Sequence, residues 1–349
     1  MDHKSYPLLL RVFGNLFTAL SGAYGLSAAG FLGLRALVGE ASGVIGFLNN
    51  FLHLLLLPAL VLLPVWTLLA LAKRRVWALL LVLTQLPAAL TFLQAYGVRF
   101  LPRASAGNAA FAVLTYNLHA EQQDVSGMIA VMRESGADVV AVQELSAFAA
   151  EALRAGLQDV YPYLALYPGA ARPTHGQGIL SRYPILEEAY WQNNELPNTM
   201  GHLRALIDLN GARVAFYNTH PIHPGMTGSF YNDQTRGAEI NIVLERAARE
   251  SVPVVILGDF NMGEWSDDYG RITARFVDVY RAVGYGLGLS FPEWSRADTL
   301  PGFRARALPL PPILRLDFVF VGRLRPVEAR VWHTAGGSDH YPVFVRLGF

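Results

Sequence analysis

Hydrophobic positions follow two different rhythms along this chain. In the first hundred residues they run almost without interruption. Beyond that they come in short bursts separated by polar turns. Val12–Leu34 holds 23 residues without a charge, Phe51–Ala72 is apolar apart from His53 and Thr67, and Val76–Gln94 follows a basic hinge, Lys73-Arg74-Arg75. Each stretch is near the roughly 20 residues that cross about 30 Å of hydrocarbon as a helix. A cleaved signal peptide has an apolar segment of only about 7–15 residues and is not followed by two more. The pattern therefore predicts a membrane region over residues 1–96, with three transmembrane helices at about 12–34, 51–72 and 76–94. Pro58 and Pro64 predict a kink in the second span. Asn49, Asn50 and His53 near its outer end read as groups solvated at the interface.

Residues 97–110, with Gly97, Pro102, Ser105 and Gly107, read as a linker. After it the rhythm changes. Strands are predicted at Phe111–Tyr116, Val139–Val142, Gly178–Leu180, Ala205–Leu209, Val214–Tyr217, Val254–Leu257, Asp317–Val321 and Val343–Arg346. Helical spacing is found at Val125–Ser135, Ala147–Leu157, Asp233–Glu250 and Asp268–Val283. Asn210-Gly211 between two strands is a hairpin signal, because that pair tolerates a tight turn's positive φ. The four aliphatics of Val254–Leu257 read as a strand buried on both faces. Strands interspersed with helices predict an α+β sandwich of two sheets flanked by helices.

Composition sharpens this division. The chain of 349 residues is 52% hydrophobic and has no cysteine, so it offers neither a disulfide framework nor a thiolate. Residues 1–100 carry a formal balance of +5 and residues 101–349 one of −4, and all 21 basic residues of the second part are arginine. By the positive-inside rule the Lys73-Arg74-Arg75 hinge lies in the cytoplasm, together with the N-terminus bearing Lys4 and Arg11. An odd number of spans then places residues 101–349 outside the cytoplasm.

Candidate chemistry sits at the strand ends. In order they read Tyr116-Asn117, Gln143-Glu144, Asn218-Thr219-His220, Gly258-Asp259-Phe260-Asn261, Arg315-Leu316-Asp317 and Ser338-Asp339-His340. Any one of these is an ordinary turn or cap. Six in one domain are hard to explain by capping. Amides, carboxylates and imidazoles converging on one sheet edge suit a site for a divalent cation and a phosphate. By strand alternation Asp259 and Asn261 should point to the same side.

The order and wording of these motifs resemble the endonuclease/exonuclease/phosphatase superfamily, which includes deoxyribonucleases, abasic-site endonucleases, neutral sphingomyelinases and inositol polyphosphate phosphatases. The resemblance runs from Phe111 to the C-terminus. Ile179–Ile185 (ILSRYPI) is similar to a family strand and turn, and Phe276–Pro292 to its Asp-containing helix and Gly-rich turn. It implies a four-layer α/β/β/α sandwich over residues 111–349 and a set of roles. Glu144 is the principal metal ligand, with Asn117 and Asp339 beside it. Asp317 holds His340, and His220 donates to a phosphoryl oxygen. Asp259 orients or deprotonates the attacking water, and Asn261 binds the phosphate. Hard oxygen donors imply Mg²⁺, with Mn²⁺ as the alternative. How His340 and Asp259 divide the base role is left open. Arg236 matches a position that braces the active-site loop or touches phosphate. His119 and His223 are rim candidates for substrate contact, whereas His175, His202 and His333 read as surface or packing residues.

The resemblance leaves the ester undefined. A polyanion-binding nuclease normally presents a Lys/Arg surface. A body without lysine and with net negative charge does not favour nucleic acid, although Arg304, Arg306 and Arg315 are close in sequence. Three spans, a short linker and the apolar run Leu308–Leu314 favour a phospholipid or lipid-linked headgroup. A membrane-tethered nuclease is the alternative, and a non-catalytic binding protein is a third. The topology has a direct consequence: a C-terminal reporter that is active only in the cytoplasm should remain silent, and activity there would overturn it.

Overall fold

The computed structural model describes residues 8–73, 76–101, 107–169, 172–193, 195–196, 199–227, 230–293 and 311–349. Lys4, Arg74, Arg75, Pro102, Ser105, Arg304, Arg306 and Leu308–Leu310 lie outside them. The chain divides into two compact units, Met1–Val98 and Arg99–Phe349.

The first unit holds α1 (Leu8–Val38), the short α2 (Gly43–Asn49), α3 (Leu52–Lys73) and α4 (Val76–Tyr96). Three segments are long and apolar enough to cross a membrane: Leu10–Ala41, Leu52–Ala72 and Val76–Phe100, with mean hydropathies of 1.3, 2.5 and 2.0. Their polarity is inverted relative to a soluble bundle. Leu20, Leu26, Val61, Leu68, Leu71 and Leu80 are exposed, while Ser21, Asn49, His53 and Gln85 are buried. Gln85 Nε2 donates to the Ser21 carbonyl at 2.9 Å, and Tyr24 Oη to that of Leu55 at 2.9 Å. Polar groups bonded to neighbouring helices and apolar groups turned outward suit a hydrocarbon surround. Asn49 and His53 are thus not the solvated groups expected from sequence. Asn49 accepts from Arg35 Nε at 3.0 Å and donates to Glu40 at 3.1 Å, and this internal network replaces water.

The second unit is a sandwich of two six-stranded sheets. Its elements in order are β1 (Phe111–Asn117), α5 (Ser126–Ser135), β2 (Val139–Gln143), α6 (Ala147–Leu157), β3 (Tyr163–Tyr167), β4 (Gln177–Ser181), β5 (Ile185–Gln192), β6 (Gly201–Leu209) and β7 (Ala212–Thr219). There follow α7 (Gln234–Ala248), β8 (Val254–Asp259), α8 (Asp267–Thr273), β9 (Val277–Asp278), α9 (Val279–Val283), β10 (Asp317–Gly322), β11 (Arg325–Val331) and β12 (Val343–Gly348). The sheet orders are β11-β12-β1-β2-β4-β3 and β5-β6-β7-β8-β10-β9.

Alternation along each strand builds the layers. Val113, Val139, Ala141 and Ile179 of the first sheet meet Phe216, Val255, Leu257 and Val319 of the second in a central core. The intervening residues face outward under helices. Leu114, Tyr116, Val140 and Val142 pack with residues of α5 and α6; Ala215, Tyr217, Ile256 and Phe318 pack with residues of α7 and α8. Strands covered on both faces have no polar face to show. This accounts for the unbroken Val254–Leu257 run and yields the expected α/β/β/α layering.

The eight strands expected from sequence are the eight interior ones. The four that escaped, β3, β5, β9 and β11, are the four sheet edges. β3, β5 and β11 are mostly half-buried or exposed, and β11 carries an irregularity at Pro326/Glu328. Such edges lack the apolar run that marks an interior strand. The expected helix Asp268–Val283 is also interrupted. Val277 and Asp278 pair with Val321 and Phe320 of β10, and Asp278 restarts a helix by accepting the Arg281 N–H at 3.2 Å.

Two parallel pairs set the site. β1 and β2 end together with Asn117 opposite Gln143, and β7 and β8 with Thr219 opposite Gly258. Gly258 has φ +143, and a Cβ there would lie 1.8 Å from the Thr219 carbonyl oxygen. Only glycine lets these strands approach so closely just before His220 and Asp259. Gly258→Ala is expected to cost roughly 3 kcal/mol through combined strain and overpacking, measured as a loss of unfolding free energy of the purified chain. A change below about 1 kcal/mol would refute this account.

Candidate active site

All six polar strand ends gather at one edge of the sandwich. Asn117 and Glu144 come from the first sheet, and His220, Asp259 and Asp317 from the second. The loop before β12 adds Ser338, Asp339 and His340. Asn117 Nδ2 crosses between the sheets, donating to Glu144 Oε1 at 3.1 Å and to Asp259 Oδ2 at 3.0 Å. Beneath it, Gln143 Nε2 donates to Asn218 Oδ1 at 2.6 Å, and Asn218 Nδ2 donates to the carbonyls of Val142 and Gly178. Asn218 and Gln143 therefore stitch the sheets below the site.

Asp259 is the hub. Its Oδ2 lies 3.6 Å from His220 Nε2 and 3.6 Å from His340 Nε2, and its Oδ1 accepts the Asn261 N–H at 2.9 Å. His220 Nε2 also lies 3.7 Å from Glu144. At its other nitrogen His220 faces the Thr174 carbonyl at 3.2 Å; a carbonyl only accepts, so Nδ1 carries the proton there. Asp317 sits directly opposite Asp259 in the β8–β10 register. Two acids facing each other repel, and His340 lies between them with Nδ1 2.9 Å from Asp317 Oδ2. Ser290 Oγ donates to the same oxygen at 2.6 Å, and the Phe291 ring covers the imidazole at 4.6 Å. Burial disfavours a charged imidazole, but attraction from Asp317 and Asp259, the Asp317 hydrogen bond and Asp339 outweigh it and raise His340 to about 10.

Local backbone strain marks the same place. Among the described residues five non-glycines have positive φ, and three of them, His119 (57°), Glu144 (57°) and Asn261 (50°), are at the site. Such conformations persist where surrounding structure over-determines them. Asn261 lies beyond the strand, so pleat alternation does not set its direction as expected; its amide donates to the Pro221 carbonyl at 3.0 Å. Glu144 is held by the Ala120 N–H at 2.8 Å.

The rim candidates separate. His119 Nδ1 is 3.0 Å from Asp339 Oδ2 at the site's partly exposed margin. Burial alone would raise Asp339, but His119 and His340 hold it below the usual carboxylate range. His223 is exposed, and its Nδ1 accepts the Gly225 N–H at 3.0 Å, forming a compact turn. Arg236 has no solvent-facing edge for a substrate. It is completely buried, donating to Asp268 at 2.7 Å, to Tyr231 Oη at 3.1 Å and to the Asn261 carbonyl at 2.9 Å, and so takes the bracing alternative. Arg315 is buried in ion pairs with Glu264 and Asp278 and contributes to no polyanion-binding face.

Sequence reading missed several supports. Glu239, fully buried, accepts the N–H groups of Met200 at 2.6 Å and Ile222 at 2.8 Å, and so holds the loop that follows His220. His202, buried as a packing residue, meets Thr219 Oγ1 at 2.7 Å and lies 3.4 Å from Glu239. Ser290 had no signal at all, being a lone serine in a loop. Glu239 had only its neighbour Arg236 on the same helix to suggest it.

Glu144, Asp259 and Asp339 supply hard oxygen donors around amides and imidazoles, a chemistry that fits a divalent cation. Among the described residues no three His, Cys, Asp or Glu side chains are grouped so as to hold a metal by themselves.

The charge arrangement makes a prediction independent of turnover. His340 is raised above its unfolded value of about 6.5. Its contribution to stability is complete below that pH and disappears as pH rises through about 10. NMR of the imidazole in metal-free protein should show a cation at neutral pH, and Asp317→Asn should move its midpoint to lower pH. A neutral His340 at pH 7 in the unmodified chain would contradict the arrangement.

Comparison with known proteins identifies the family and the fold. A model of the Endonuclease/Exonuclease/phosphatase family matches residues 114–340. No curated protein matches the sequence significantly. Solved structures share the fold at low identity. An endonuclease/exonuclease/phosphatase family protein from Leptotrichia buccalis is 20% identical with TM-score 0.53, covering 68% of this chain and 100% of its own. A mannosyl-6-phosphatase from Bacteroides thetaiotaomicron is 17% identical with TM-score 0.53 and the same coverage. D. rerio TDP2 complexed with single strand DNA product is 16% identical with TM-score 0.54, covering 68% and 99%. The edge-to-edge gathering of Asn117, Glu144, His220, Asp259, Asp317 and His340 thus sits within a recognised family frame: the chain belongs to the Endonuclease/Exonuclease/phosphatase family.

Proposed function

We propose that this chain is a membrane-anchored, divalent-metal-dependent phosphodiesterase that acts outside the cytoplasm on a phospholipid or lipid-linked headgroup. The observation that carries the chemistry is the Asp259 hub, a buried carboxylate 3.6 Å from each of two imidazoles and linked through Asn117 to a second carboxylate. Glu144 would hold the cation, Mg²⁺ by preference, with Asn117 and Asp339 beside it. When bound, the ion polarises the phosphoryl group and offsets its charge.

The chain's own residues divide the remaining work. His340, kept cationic by Asp317 and Asp259, is poorly suited to accept a proton and well suited to donate to a phosphoryl oxygen. Asp259 is then the group that orients the attacking water and takes its proton. His220, with Nδ1 committed to the Thr174 carbonyl, directs Nε2 at the same centre and, when Nε2 also carries a proton, donates it to charge that grows in the transition state. Asn261 spends one amide hydrogen on Pro221 and has a second for phosphate. His119 stands at the rim beside Asp339, and His223 closes a turn in the loop that follows His220.

The substrate class rests on the three candidate spans and on a catalytic unit whose basic residues are all arginine, in net deficit to its acids. Purified full-length protein with Mg²⁺ should hydrolyse a phospholipid diester in mixed micelles and leave plasmid DNA and a sugar monophosphate intact. Cleavage of the plasmid alone would transfer the reading to a tethered nuclease, and silence on all three would remove the enzymatic reading. Glu144→Ala, His220→Ala and His340→Ala should each lower turnover by at least ~10²-fold. Near wild-type turnover in folded His340→Ala would sink the assignment of roles.

A further inference from the structure

The catalytic unit begins at Arg99, three residues beyond the end of α4, and this arginine is buried to 1% exposure. Its guanidinium forks onto both oxygens of Glu264, at 2.7 and 2.6 Å. Arg315 donates to the same carboxylate and makes a second fork onto Asp278 at 2.8 and 2.7 Å. Burial opposes ionisation of Glu264, yet Arg315 and Arg99 bring it down to about 2. The Arg99 carbonyl accepts the Gly286 N–H at 3.0 Å, so residue 99 is held by its backbone as well.

The position of this cluster in the chain gives it meaning. Glu264 is three residues after Asn261, and Arg315 is two before Asp317. The Phe260 N–H donates to the Leu316 carbonyl at 2.9 Å, tying the two segments together. Gly286 precedes the loop that supplies Ser290 and Phe291 to Asp317 and His340. Three loops that shape the site therefore meet at the Arg99–Glu264 pair: Glu264 bonds the Arg99 side chain, Arg315 bonds Glu264, and Gly286 bonds the Arg99 backbone.

We propose that Arg99 is a positioning residue for the phosphoesterase site: its fork onto Glu264 fixes the loops bearing Asp259, Asn261 and Asp317. This rests on the phosphoesterase reading for its kinetic arm only. Arg99 touches neither substrate nor the reacting atoms, and His220 stands on a separate strand end. Losing Arg99 should therefore lower kcat and leave KM largely unchanged. Arg99 and Arg315 bond the two acids directly while Arg281 acts on them from farther away, so removing Arg99 takes from the buried Glu264 its two-point partner, a defect of stability. Removing Arg99 and the Glu264 charge together relieves that defect and does not restore the anchor.

The test uses the full chain in detergent with Mg²⁺ and bis(4-nitrophenyl) phosphate as a soluble diester. Arg99→Ala should lose thermal stability and activity. Arg99→Ala/Glu264→Gln should recover the melting temperature while kcat remains at least ~10-fold down with KM within about twofold. Arg99→Lys, which keeps the charge but not the fork, should fall between. Hydrogen exchange supplies an arm that needs no substrate: in the double variant, amides of residues 259–266 and 313–317 should exchange faster and those of β7 should not. Wild-type kcat in the stable double variant, or unchanged exchange in those two segments, overturns the proposal. A wild-type chain inactive on every diester would defeat the phosphoesterase reading and leave the exchange result to decide on Arg99.

Discussion

The site depends on one amide that spans two sheets. Asn117 ends a strand of the first sheet and donates both to Glu144 on its own side and to Asp259 on the other. Without that bridge the two carboxylates would belong to separate layers of a sandwich whose central core is mostly apolar. The Gln143–Asn218 bond below it and the close approach of β7 to Gly258 hold the same edge together from inside. Sheets packed face to face do not by themselves hold their strand ends to within a hydrogen bond. Directional polar contacts at the rim of the core do this, and their burial makes them worth having only if every member is satisfied.

Two charged clusters stand next to each other and are built differently. Around Asp259 the carboxylates of Glu144, Asp317 and Asp339 face imidazoles at distances from 2.9 to 3.7 Å. Most of those contacts are longer than hydrogen bonds, so these groups are not closed onto one another. Around Glu264 the guanidiniums of Arg99 and Arg315 close onto their acids in forks. That cluster is closed by short bonds between its own members. The open cluster suits chemistry and the closed one suits support.

Legibility followed burial. Interior strands, covered on both faces, appeared as apolar runs; edge strands such as Tyr163–Tyr167 and Arg325–Val331, wet on one side, had no pattern to read. The helix expected across Asp268–Val283 failed because pairing of Val277 and Asp278 with β10 outweighed local helical spacing. Asn49 and His53 were misread for a related reason. Polarity at the end of a span suggests water, and only packing reveals a buried Arg35–Asn49–Glu40 network.

Local residue patterns were enough to indicate the family, the interior strands and the apolar segments, because each is written locally: a polar stop, a run of aliphatics, a stretch without charge. The partnerships came only with the fold. That His340 lies between two opposed acids, that Arg236 is a sealed brace and that Arg99 reaches Glu264 are contacts between positions tens to hundreds of residues apart. Coulombic and hydrogen-bond energies depend on distance in space, and separation along the chain carries no trace of it.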